Sequence, residues 1–211
     1  MFRIFSLFIG FISTLSLGQA EEHAWPIFRG PGGSGQALGQ AVPTAFGPEK
    51  NVAWKTALPS GPSSPIIWGD RLFVTGHVGT SVKMLCLNRL TGEVLWEGAR
   101  EIPKVPKFFH IAGSVAAATP ATDGKRVVFY FDDYGLITTD LDGNKLWEHR
   151  FVTSTGNQFS YGASPIIEGK KLLLNRDGAL DSCLVCFDLS LIHISEPTRP
   201  LYIAYAVFCL K

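Results

Sequence analysis

Between Trp25 and Asp188 the hydrophobic residues fall in short runs broken by Gly, Asp, Asn and Pro. Nowhere in that span do apolar residues recur at the three- and four-residue spacing of an amphipathic helix, so the pattern predicts strands and turns throughout. Three stretches carry the same order of elements: 63–97, 117–148 and 163–188. Each opens on Ser64-Pro65, Thr119-Pro120 or Ser164-Pro165, then a short apolar run, a Gly-containing turn and a second apolar run. A third run ends at Asn88, Asp140 or Asp188. In the first two stretches a tight turn at Gly92 or Gly143 then leads into Leu95-Trp96-Glu97 or Leu146-Trp147-Glu148.

A unit of four short strands, repeated, predicts an all-β fold built of β-propeller blades. The second stretch shows why. Val127-Val128-Phe129-Tyr130-Phe131 is β-branched and aromatic, which suits a strand sandwiched between two sheets. Asp142-Gly143-Asn144 offers the residues that tolerate positive φ in a hairpin. Pro65, Pro120 and Pro165 stand near the start of each first strand, where a missing N–H is tolerated. Trp96 and Trp147 hold equivalent places and are expected to pack one blade on the next. Trp54, in Asn51-Val52-Ala53-Trp54-Lys55-Thr56, resembles a lone copy of the final strand, so residues 51–58 are expected to form a closing-type strand within an N-terminal segment 21–62.

The two ends read differently. Residues 1–20 place Arg3 before an apolar stretch and end in small residues at Gly18-Gln19-Ala20, the pattern of a secretory signal peptide cleaved after Ala20. No Cys stands near that point for lipid attachment. A periplasmic or secreted location follows. Beyond Asp188 the third unit lacks its Gly turn and its Leu-Trp strand. Residues 189–211 instead resemble the translation of a transposon-type sequencing-library adapter, which makes them a non-native tail and leaves about three blades of an incomplete, N-terminal fragment.

Composition narrows the chemistry. With 22 Gly and 13 Pro among 211 residues the chain is turn-rich, and 46% hydrophobic content supports a folded core. A formal net charge of +1 gives no electrostatic reason to expect a nucleic-acid partner. Cys183 and Cys186 form a C-x-x-C, but their spacing on a strand sends them to opposite faces. Phe187 follows, so covalent haem attachment does not apply. Cys86 lies in an apolar run and reads as a small buried side chain. His23, His77, His110 and His149 lack partners at metal-ligand spacing, and Asp132, Asp133 and Asp140 lack the alternating oxygens of a calcium loop. The long connection 98–116 brings Phe108, Phe109 and His110 to one propeller face. His77, His110 and Arg176 are the polar residues to watch as pocket or cofactor-binding candidates; no catalytic residue and no metal ligand emerge.

Leu87-Asn88-Arg89-Leu90-Thr91-Gly92-Glu93-Val94-Leu95-Trp96 and Asp140-Leu141-Asp142-Gly143-Asn144-Lys145-Leu146-Trp147 resemble the pyrroloquinoline-quinone-like (PQQ-like) propeller repeat. Trp25-Pro26-Ile27-Phe28-Arg29-Gly30-Pro31-Gly32 is similar to the start of many exported bacterial members. The resemblance implies one of two functions. One branch consists of propellers that assemble outer-membrane proteins, which bind protein and perform no chemistry; this reading makes the chain a protein- or ligand-binding scaffold and not an enzyme. The other consists of quinoprotein dehydrogenases, which hold PQQ and calcium on the propeller axis with an Asp base and often an adjacent Cys pair. The chain has no adjacent Cys pair, and that branch would need catalytic residues beyond this fragment.

Overall fold

The computed structural model describes residues 23–37, 43–61, 63–108, 113–151, 162–176 and 183–189. Residues 1–20, read from sequence as a signal peptide, Phe109, His110 and residues 190–211 lie outside them. The strands are β1 (Ala24–Trp25), β2 (Ile66–Trp68), β3 (Arg71–Val78), β4 (Ser81–Asn88), β5 (Val94–Glu101), β6 (Ala121–Thr122), β7 (Arg126–Phe131), β8 (Gly135–Asp140), β9 (Lys145–Arg150), β10 (Ile166–Glu168), β11 (Lys171–Arg176) and β12 (Cys183–Asp188). They form three antiparallel meanders in chain order: β1 to β5, β6 to β9, and β10 to β12. These are three successive blades of a β-propeller. The innermost strands β2, β6 and β10 approach one another and define the axis side. Among the described residues no helix is long and apolar enough to cross a membrane.

The near-continuous apolar runs follow from burial on both faces of a middle blade. Along β7, Val127, Phe129 and Phe131 join a core with Phe73, Met84 and Cys86 of the first blade. The alternate residues Val128 and Tyr130 join a second core with Leu172, Leu174 and Phe187 of the third. A period of two, with both faces covered, leaves no polar position to interrupt the run. Phe108 packs against the first core from the long connection, and Ile102 and Val115 lie within it.

The outer strands share one irregularity. The β4–β5 pairing shifts between Cys86 and Leu87, and the β8–β9 pairing between Thr138 and Thr139. Each shift inserts one extra residue (Leu95, Leu146) and leaves the tryptophan opposite Cys86 or Thr138. A bulge of this kind re-aims the side chains beside it.

Residues 51–58 do not form the expected strand. They carry no ladder pairing, and Ser60, just beyond, bridges to His77. A strand exists only through its ladder partner, and none of the described strands lies alongside this segment. Side chains hold it instead: Trp54 Nε1 donates to Arg89 O at 2.8 Å and Thr56 Oγ1 to Gly92 O at 2.7 Å. The blade edges also move. β5 and β9 run on to Glu101 and Arg150. In the third blade Leu189 is buried and its N–H donates to Lys170 O, as Arg89 donates to Asp70 O in the first.

Candidate functional site

The axis is built from the Ser/Thr-Pro dipeptides. Pro locks the backbone and removes its own donor, so the preceding residue carries the polar link between blades. Ser64 N donates to Thr119 Oγ1 at 3.2 Å, and Thr119 N donates to Ser164 Oγ at 3.0 Å. Each blade is thus tied to the next by a hydroxyl at the equivalent position. Thr75 adds two alternative acceptors for its own hydroxyl, Ala116 O at 3.2 Å and Ala118 O at 3.3 Å.

The N-terminal segment lies on this axis side. β1 pairs with β2 on the edge opposite β3, with Ala24 facing Trp68 and Trp25 facing Ile67. Pro26 O then accepts from Thr122 N at 2.9 Å, which joins the segment to the second blade. Arg29 and Gly30 turn the chain at positive φ, and Gly30 is required because a Cβ there would meet the Trp25 ring at 2.5 Å. The sequence offered this motif as a family resemblance; nothing in its short apolar pattern showed that it would complete the inner edge of a blade.

A ladder of tryptophans joins the blades at their opposite end. Trp54 lies over Gly92 and donates to Arg89 O. Trp96 lies over Gly143 and donates to Leu141 O at 3.0 Å, with its ring edge-on to Phe129 at 6.2 Å. The arginines that open the second strands add parallel links: Arg71 to Leu141 O and Asp142, and Arg126 Nη1 to Leu189 O at 2.7 Å. Trp147 continues the series against Phe187, but among the described residues its buried Nε1 has no hydrogen-bond partner.

The three polar candidates do not form one site. His77 is the penultimate residue of β3 in the first blade, where its N–H donates to Ser60 O at 2.7 Å and its Nδ1 lies 3.2 Å from Gly79 O. His110 lies outside the described residues. Arg176 ends β11 in the third blade, its guanidinium 4.2 Å from the centre of the Phe151 ring. What surrounds Arg176 is an aromatic cluster that the scattered histidines of the sequence did not reveal. His149 stands edge-on to Phe151 at 4.9 Å and to Phe187 at 5.4 Å. Burial, reinforced by the Arg176 charge, holds the His149 imidazole below its ordinary titration range. Burial also pushes the Tyr130 hydroxyl far up, and Asp132 adds to that effect. A signal was present, since Trp147 and His149 are two apart on β9 and share its inward face.

A family model described as outer membrane protein assembly factor BamB matches residues 35–185. The chain belongs to this family of BamB-like, PQQ-repeat propellers. No curated protein matches it. Among solved structures it is similar to BamB from Moraxella catarrhalis at 19% identity and a TM-score of 0.44, over 66% of this chain and 37% of that one. A europium-containing methanol dehydrogenase is matched at 16% identity and TM-score 0.45, over 63% and 23%. Quinohemoprotein alcohol dehydrogenase ADHIIG from Pseudomonas putida HK5 is matched at 14% and 0.45, over 62% and 19%. The chain thus spans well under half the length of these proteins.

β1 takes the inner edge of β2 in the first blade. Among the described residues no three of His, Cys, Asp and Glu come together around a cation position. Asp140 spends its carboxylate on its own turn, accepting from Asp142 N and Asn144 N at 2.9 Å and from Asn144 Nδ2 at 2.8 Å. Although burial opposes it, these hydrogen bonds hold the Asp140 carboxyl below its usual range.

Proposed function

We propose that this chain is an exported, periplasmic scaffold that binds polypeptide in outer-membrane-protein assembly and carries out no chemistry of its own. The observation that carries this reading is the inner edge of the first blade, paired with the chain's own β1. A blade whose inner edge is already paired with the chain's own backbone is suited to presenting its loops and outer edges to partners. The match to an assembly-factor family supports the same reading. Recognition then runs through loops at one propeller end and through strand pairing, in which backbone hydrogen bonds give affinity and alternate side chains give selectivity.

The test has two arms. The chain is offered synthetic strands of a bacterial outer-membrane barrel, with scrambled versions as controls, and binding is followed by fluorescence anisotropy. Preference for the authentic strands is expected. In the second arm PQQ and Ca²⁺ are added and quinone absorbance is followed after gel filtration. Stoichiometric retention of quinone, or no preference for authentic over scrambled strands, would overturn the proposal. Export is tested by fusing residues 1–20 to a phosphatase that is active only outside the cytoplasm; an inactive fusion would refute that part.

A further inference from the structure

One exposed segment of the long connection 98–116 belongs to no blade. After β5 ends at Glu101 the chain buries Ile102, whose N–H donates to Thr80 O at 3.0 Å. It is anchored again at Phe108, which packs against the same core. Phe108 lies so close to Gly113 that a Cβ there would stand 2.4 Å from it. Between these anchors run Pro103-Lys104-Val105-Pro106-Lys107, with Pro103, Lys104, Val105 and Lys107 exposed. Val105 is 37% exposed although its side chain is apolar. Residues 104–108 carry no helix, strand or turn. Among the described residues no hydrogen bond joins 103–107 to the blades.

We infer that Pro103–Lys107 is a polyproline-II ligand, received by a partner domain that has an aromatic-lined groove and an acidic rim. Pro fixes its own φ and bars the α region to the residue before it, so Ile102 and Val105 are held extended as well. A polyproline-II helix turns once in three residues, which puts Pro103 and Pro106 on one edge and Lys104 and Lys107 on the next. That spacing lets a groove of aromatic rings take both prolines while its rim takes a cation. Lys104 acts electrostatically on the partly buried Asp133 in the turn after β7, so Lys107 is the cation left for the partner. Among the described residues no ion pair includes Lys107. Both ends of the segment are fixed by the core, so little backbone freedom is lost on docking. An anionic membrane would use the two lysines but give the prolines no role. The segment involves no blade edge, and its docking does not depend on strand pairing elsewhere in the chain.

The experiment uses the full chain and a panel of fluorescein-labelled SH3 domains with acidic rims, followed by anisotropy. Saturable binding to at least one domain is expected. A synthetic peptide with the sequence 100–108 should compete for that domain. The same peptide with Pro103→Ala and Pro106→Ala should compete at least about tenfold less well, because it loses both rings and the fixed backbone. In the chain, Pro106→Ala should weaken binding by a similar factor and Lys107→Glu several-fold, with melting curves reporting whether each variant is folded. The peptide pair keeps the test decisive if either is not. Phosphatidylglycerol vesicles are the contrasting probe. No binding to any domain, equal competition by the two peptides, or vesicle binding that Lys107→Glu abolishes and Pro106→Ala leaves intact would each overturn the inference.

Discussion

Gly143→Ala measures the contact that joins the first two blades. The residue sits at φ 87°, and its new Cβ would stand 2.7 Å from Cδ2 of Trp96 and 3.0 Å from Cε2. Left-handed backbone costs a residue with a side chain about 1–2 kcal/mol. Overpacking against a ring wedged among Phe73 and Phe129 adds roughly 1–3 kcal/mol. If the ring yields, its Nε1–Leu141 O bond lengthens and about 1 kcal/mol is lost in place of part of that strain. The sum is roughly 2–5 kcal/mol. Gly69→Ala is the control, because Gly69 has φ 58° and open space around its Cβ position, so only the backbone term applies. Urea unfolding followed by tryptophan fluorescence separates the two. With a slope of about 2 kcal/mol per M, Gly143→Ala should lower the midpoint by roughly 1–2.5 M and Gly69→Ala by a smaller amount, about 0.5–1 M. Equal shifts for the two variants would refute the claim that Trp96 demands glycine on the turn beneath it.

Other consequences follow from the same contacts. The folded His149 imidazole titrates below its ordinary value of 6.5, so the unfolded chain takes up its proton first as pH falls. Stability should therefore be full above about pH 7 and decline as pH drops through and below 6.5, and His149→Phe should flatten that slope in urea midpoints measured from pH 8 to 5. Thr119→Val removes the acceptor for Ser64 N and should cost about 1–3 kcal/mol, whereas Thr119→Ser should restore most of it; equal midpoints for the two variants would argue against the axial hydroxyl link. Burial pushes the Cys86 thiol up to about 11, so iodoacetamide at pH 8 should label Cys183 and Cys186 well before Cys86, as read by peptide mapping. Early labelling of Cys86 would mean that the first inter-blade core opens readily.

The local pattern determined the blades. Residues such as Val127 to Phe131 can only be a strand covered on both faces, and Gly92 and Gly143 sit where a hairpin needs positive φ, so both were legible from alternation and turn chemistry alone. That Cys183 and Cys186 fall on one strand, three residues apart and so on opposite faces, was likewise implicit in a period of two, but their partners Arg176 and Leu173 were not. Contacts between distant segments were not legible. Trp54 was recognisable as a copy of Trp96, but its docking by side chain onto Arg89, without a strand, depends on where the first blade ends. The same holds for β1 on the inner edge of β2, and for His149 beside Phe151, Phe187 and Arg176. Periodicity records which face of a strand is buried, because that preference is written residue by residue. It does not record what buries that face, because the partner is chosen by the packing of whole blades around an axis. The tertiary structure alone decided that the tryptophans form a ladder, that the axis side of the first blade is lined by the chain itself, and that among the described residues the Trp147 donor has no partner.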